Sequence, residues 1–137
     1  MINNRHILVA DDEPLTRKSL YEILKREDYK VSTAVDGEDA YSIVEKELPD
    51  IVIADLKMPK VDGINLLRKI KFTYPDIAVV LITAYGSIEN AVEAMKEGAF
   101  DYITKPIIDS EIKIVIQRIL EQKKILLENL KRHSQNG

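Results

Sequence analysis

Short apolar runs alternate along this chain with longer amphipathic stretches, a pattern that predicts repeated β-α units around a parallel sheet. The runs fall at residues 7–10, 31–35, 51–54, 78–82 and 102–104, which gives five strands. The third and fourth are apolar throughout, as expected of central strands covered on both faces. The second, with Ser32 and Thr33, reads as an edge strand.

Pro14 suits the first turn of a helix that would carry Leu15, Leu20, Ile23 and Leu24 inward. Gly37 precedes a second helix with Ala40, Ile43, Val44 and Leu48, ended by Pro49. A third holds Ile64, Leu66, Leu67 and Ile70 and stops before Pro75. The fourth opens at Ser87 as N-cap, carries Ile88, Ala91, Val92 and Met95, and ends at Gly98, which tolerates the left-handed conformation favoured there. Asp109 or Ser110 caps a fifth helix that runs to about residue 131, roughly 33 Å at 1.5 Å per residue. Its positions Ile112, Ile116, Ile119, Lys123, Leu126 and Leu130 step by four and three. Past Glu121 little domain is left to cover Ile125, Leu126, Leu127 and Leu130, so a coiled coil between two copies is expected. The expected organisation is a domain at residues 1–121, then a helical extension at 122–137 whose last four residues form a frayed tail or a linker.

At 137 residues and 45% hydrophobic, the chain can bury one sizeable core. Its 20 basic and 23 acidic residues are interspersed, so no basic field exists to bind nucleic acid. The absence of cysteine excludes disulfides, thiolate nucleophiles and cysteine-bound zinc. The first apolar run is too short for a signal peptide or a membrane span, which points to a soluble cytoplasmic protein without membrane contact. His6 and His133 are expected at the surface.

In open α/β sheets, ligands bind beyond the carboxyl ends of the strands. There four of the five runs deliver Asp11-Asp12-Glu13, Asp55, Thr83 and Lys105-Pro106. Three carboxylates against one lysine leave a local charge of about −2, which a hard divalent cation with oxygen ligands would offset; Mg2+ is the expected ion. One carboxylate can then attack phosphorus while the metal and the ammonium neutralise charge on the transferring group. Asp55, alone at the end of a central strand, is the candidate nucleophile. Asp11 and Asp12 are the candidate metal ligands, Lys105 the partner of a phosphoryl oxygen, and Thr83 a hydroxyl donor. Each residue also has a plainer reading: acidic groups before a helix meet its dipole, and Tyr102 is ordinary half-buried packing.

The segments Val9-Ala10-Asp11-Asp12-Glu13-Pro14, Asp55-Leu56-Lys57-Met58-Pro59-Lys60-Val61-Asp62-Gly63, Thr83-Ala84 and Lys105-Pro106 resemble, in order and spacing, the receiver domain of two-component response regulators. The stretch from Thr83 to Tyr102 is similar to receivers of nitrogen-regulation-type (sigma-54-dependent) transcription activators, which carry ATPase and DNA-binding modules that this sequence does not include. The resemblance implies a flavodoxin-like, doubly wound five-stranded sheet of order 2-1-3-4-5. It implies Asp55 as phosphoacceptor, Asp11 and Asp12 as metal pair with the carbonyl of Lys57, and Lys105 at the phosphoryl group. Thr83, Ala84 and Tyr102 become switch positions, Lys57 and Tyr85 tune the lifetime of the phosphorylated state, and Lys105-Pro106 is often cis.

The function so implied is a signalling switch. It accepts a phosphoryl group from a sensor histidine kinase, catalyses only its own phosphorylation and slow dephosphorylation, and changes an interaction surface on its fourth helix and fifth strand. A homodimer through that surface and the long last helix is expected. One alternative is an aspartyl-nucleophile phosphatase or phosphotransferase for small molecules; against it, Lys57 stands where a haloacid-dehalogenase-type enzyme would place a second acid. The other is a constitutive dimerisation module. A Rossmann nucleotide site is disfavoured, because no glycine-rich fingerprint follows the first strand.

Overall fold

The apolar runs pair into one parallel sheet, in which each strand uses its neighbours to satisfy a backbone that has no access to water. The computed structural model describes residues 5–136. The strands are β1 (His6–Ala10), β2 (Lys30–Ala34), β3 (Ile51–Asp55), β4 (Ala78–Thr83) and β5 (Asp101–Thr104). They alternate with α1 (Pro14–Arg26), α2 (Gly37–Glu47), α3 (Gly63–Thr73), α4 (Ile88–Lys96) and α5 (Asp109–Asn136). All neighbours are parallel, in the order β2-β1-β3-β4-β5. Because β1 is flanked by β2 on one side and β3 on the other, the chain winds away from β1 and β3 in opposite directions and opens a crevice at their carboxyl ends.

Every residue of β1, β3 and β4 is buried, whereas β2 is only partly buried, as an edge strand should be. Three helices begin on side-chain caps: Asp36 accepts from Asp39 N at 2.8 Å, Asp62 from Asn65 N at 2.9 Å, and Ser87 from Asn90 N at 3.0 Å. Gly98 follows α4 with φ +101°.

The helices do not bury every apolar side chain that their period presents, and in α1 this departs from the inward set expected from the sequence. Leu15, expected inward, is 75% exposed, and Leu48, expected within the second helix, is the left-handed C-cap of α2 and lies exposed. In α4 the buried residue is Ala94, while Ile88, Val92 and Met95 are exposed. A helical repeat reveals an apolar stripe but not its direction, and in a nine-residue helix a small alanine face packs as readily as a large one. His6 is the opposite case: expected at the surface, it is 7% exposed, because Ser32 and Glu47 lie across its ring. His133 is exposed as expected.

The chain divides into two compact units, one ending at Ile107 and the other beginning at Ile108. The second consists of α5, in which Ile112, Val115, Ile116 and Ile119 are buried and Ile125, Leu126, Leu127 and Leu130 are exposed. The helix runs to Asn136, so the tail expected at residues 134–137 is helical as far as the described residues reach. Among those residues no helix is long and apolar enough to cross a membrane.

Candidate functional site

The carboxyl ends of β1, β3, β4 and β5 bring Asp11, Asp55, Thr83 and Lys105 together, and the backbone that places them is tightly braced. Asp11 N donates to Ala34 O of β2, Leu56 N to Ile82 O of β4, and Lys105 N to Thr83 O. The peptide bond from Lys105 to Pro106 is cis. Gly63 opens α3 so close to the end of β3 that a Cβ there would stand 2.6 Å from Asp55 O and 2.8 Å from Leu56 Cα, a clash with main chain. Only glycine allows α3 to start directly against the strand that presents Asp55.

Asp11, Asp12 and Asp55 each offer a carboxylate oxygen, all within 4.8 Å of one another. Asp11 is fully buried and Asp55 is 7% exposed, while Asp12 lies at the surface. The Lys105 ammonium stands 3.1 Å from Asp11 Oδ2 and donates to Asp55 Oδ2 at 3.2 Å. Its contact with Asp11 is close enough for an ion pair but misaligned for a hydrogen bond, so the ammonium is the partner of buried Asp11 Oδ2 by charge alone, with no hydrogen-bond donor to it among the described residues. Asp11 Oδ1 accepts from Glu13 N at 2.8 Å, and Asp55 Oδ1 from Lys57 N at 3.3 Å.

Burial raises the carboxyl pKa of Asp11, and the charge of Asp55 adds to the rise; the Glu13 amide and Lys105 only partly oppose it. Burial by itself would lower the Lys105 pKa, yet Asp11 and Asp55 outweigh it and hold the ammonium above its usual range. An acidic pocket with oxygen donors only, and one cation for three anions, is chemically suited to a hard divalent ion.

The other anticipated residues surround this cluster. Thr83 is buried, and its Oγ1 accepts from Tyr85 N at 3.1 Å; Ala84 is exposed. Tyr102 is half-buried against the core, with a buried hydroxyl that has no hydrogen-bond partner among the described residues and lies beside Gly86. Lys57 Nζ lies 4.8 Å from the centroid of the Tyr85 ring, linking the loops after β3 and β4.

One contributor escaped the sequence reading: the Arg17 guanidinium, which donates to Asp11 O at 2.7 Å. A legible signal for it exists, since a cation in the first turn of α1 sits where a helix favours anions.

The family model described as the response regulator receiver domain matches residues 7–117. The C4-dicarboxylate transport transcriptional regulatory protein DctD of Pseudomonas aeruginosa is 35% identical over 123 residues, which is 90% of this chain and 27% of that protein. The chain thus spans about a quarter of that relative's length. Sporulation initiation phosphotransferase F of Bacillus subtilis is 36% identical over 120 residues, covering 88% of this chain and 97% of that protein. Among solved structures, a response regulator receiver domain protein from Clostridium thermocellum superposes with a TM-score of 0.84 at 37% identity, over 89% of this chain and 98% of that one. With its strand order, its acidic cleft and these matches, the chain belongs to the response regulator receiver domain family.

Proposed function

We propose that this chain is a phosphorylation-dependent switch in which Asp55 accepts a phosphoryl group from a sensor histidine kinase. The observation that carries the reading is the charge imbalance at the strand ends, three carboxylates within 4.8 Å of one another and a single ammonium shared by two of them. Asp11 and Asp12, with Asp55 and the carbonyl of Lys57, would hold Mg2+, which supplies charge neutralisation for the transferring phosphoryl group. A carboxylate oxygen of Asp55 attacks phosphorus, the bond from phosphorus to the donor nitrogen breaks, and an aspartyl phosphate forms. Lys105, already 3.2 Å from Asp55, is placed to pair with a phosphoryl oxygen.

The switch follows from what the new dianion displaces. Thr83 would give up its contact with Tyr85 N to donate to the phosphoryl group, and Ala84 and Tyr102 would readjust with it. The output is then an altered surface around α4 and β5, where Ile88, Val92 and Met95 already face solvent. These residues, and separately the exposed Ile125, Leu126, Leu127 and Leu130 of α5, support a homodimer. We read the protein as cytoplasmic, with control of transcription as the output, and as catalysing only its own phosphorylation and slow dephosphorylation.

The test is intact mass after incubation with Mg2+ and a small acyl phosphate. One labile phosphoryl adduct on the wild type and none on Asp55→Asn is the expected result. Fast, continuous release of inorganic phosphate would instead indicate a small-molecule phosphatase, and an inert wild type a purely structural module. Sedimentation with and without phosphorylation tests the dimer, which a monomer at high concentration in both states would rule out.

A further inference from the structure

Arg17 stands in the wrong place for a helix residue acting on its own account. It is the fourth residue of α1, a helix that has no acidic side chain in its first turn and whose N-cap, Glu13, makes no side-chain cap bond. A cation there opposes the helix dipole. Its main-chain N–H makes the first helical bond, to Glu13 O at 3.1 Å, while its guanidinium folds back past the helix start to Asp11 O.

That carbonyl belongs to the peptide joining Asp11 to Asp12. The rest of the loop is held as well: Glu13 N donates to Asp11 Oδ1, and Thr16 Oγ1 to Glu13 Oε1. With Asp11 N bound to Ala34 O, the Asp11 main chain is gripped on both sides, by β2 through its amide and by Arg17 through its carbonyl. Asp12, exposed and next in sequence, leaves from the peptide whose carbonyl Arg17 holds.

We infer that Arg17 is a positioning residue for the acidic loop: by clamping the Asp11 carbonyl it holds Asp12 toward the cleft and so prepares the divalent-cation site. This rests on the metal-dependent switch proposed above. Two effects of Arg17 on a bound cation oppose each other. Its charge repels the ion, so a purely electrostatic role means that removing Arg17 tightens binding. Its clamp removes the freedom of the Asp11-Asp12 peptide, so a positioning role means that removing it weakens binding.

The experiment is a Mg2+ titration of the unphosphorylated protein, followed by the amide NMR shifts of Asp12, Asp55 and Lys57. Charge-assisted hydrogen bonds of this kind contribute enough that Arg17→Ala should raise the half-saturating Mg2+ about tenfold. Arg17→Lys, which keeps a donor and the charge, should recover to within about threefold. At saturating Mg2+, Arg17→Ala should take up phosphoryl groups from an acyl phosphate at close to the wild-type rate, separating a binding defect from a chemical one. If Arg17→Ala does not fold, the Lys and Gln variants decide: Gln weaker than Lys, and both weaker than wild type, is the expected order. Equal or tighter Mg2+ binding by the Ala or Gln variant overturns the inference. A wild type that shows no Mg2+-dependent shifts overturns instead the reading on which it rests.

Discussion

The two ends of the sheet both hold buried titratable groups, and they treat them differently. At the amino end, His6 Nε2 is 2.8 Å from Ser32 Oγ and 3.3 Å from Glu47 Oε1. Ser32 Oγ donates to Glu47 at 2.7 Å, His6 N donates to Asp50 Oδ2 at 2.9 Å, and Arg5 pairs with Asp50 at 3.6 Å. Lys30 adds a second cation to this neighbourhood. Donors and acceptors there match, and the charges are of both signs. At the carboxyl end, Asp11 and Asp55 share Lys105, and Asp12 brings a third carboxylate to within 4.8 Å without adding a cation. A balanced cluster ties strands together, while an unbalanced one is kept for something that arrives.

The sharpest way to break this contrast is Lys105→Met. With the shared cation gone, buried Asp11 and Asp55 face each other unpaired, which should cost about 3 kcal/mol in metal-free urea unfolding. Saturating Mg2+ should return part of that loss. No loss in metal-free buffer would mean that the carboxylates do not depend on the ammonium at all.

Acid distinguishes the two ends by sign. Burial, the largest influence, lowers the His6 pKa from its ordinary 6.5 and outweighs the opposing pull of Glu47. The unfolded chain therefore takes up this proton before the folded one does. The contribution of His6 is complete above pH 6.5 and declines as pH falls below it, by up to about 1.4 kcal/mol per pH unit until the folded ring also protonates. Asp11 runs the other way: with its pKa raised by burial above 3.8, the fold gains stability as pH drops through that raised value. Urea unfolding of His6→Gln from pH 7.5 to 5.5 should lack the wild-type decline. An unchanged slope would place the titrating group elsewhere.

The smallest effect concerns the link across the carboxyl end. The exposed Lys57–Tyr85 contact is worth about 0.5 kcal/mol. If it restrains the loops beside Asp55, Lys57→Ala should change the half-life of the aspartyl phosphate about twofold with little change in melting temperature, since 1.4 kcal/mol corresponds to tenfold.

Much of this molecule is legible in one dimension, for reasons that particular residues make plain. The strands are visible because a doubly covered parallel strand must be apolar at every position, as residues 51–54 and 78–82 are. The residues that leave those strands are equally visible, since strand direction alone sends Asp11, Asp55, Thr83 and Lys105 to one edge. What no local pattern encodes is which neighbour closes over a given side chain. Leu15 and Ile88 carry the helical period of core residues yet face solvent, while His6, polar and near the start, is covered by Ser32 from one element and Glu47 from another. The clamp of Arg17 on Asp11 and the sharing of Lys105 by two carboxylates belong to the same class. Apolar periodicity reports how much of each element must leave water; partners far apart in the chain, such as residues 55 and 105, are chosen only when the folded backbone brings them within hydrogen-bond reach.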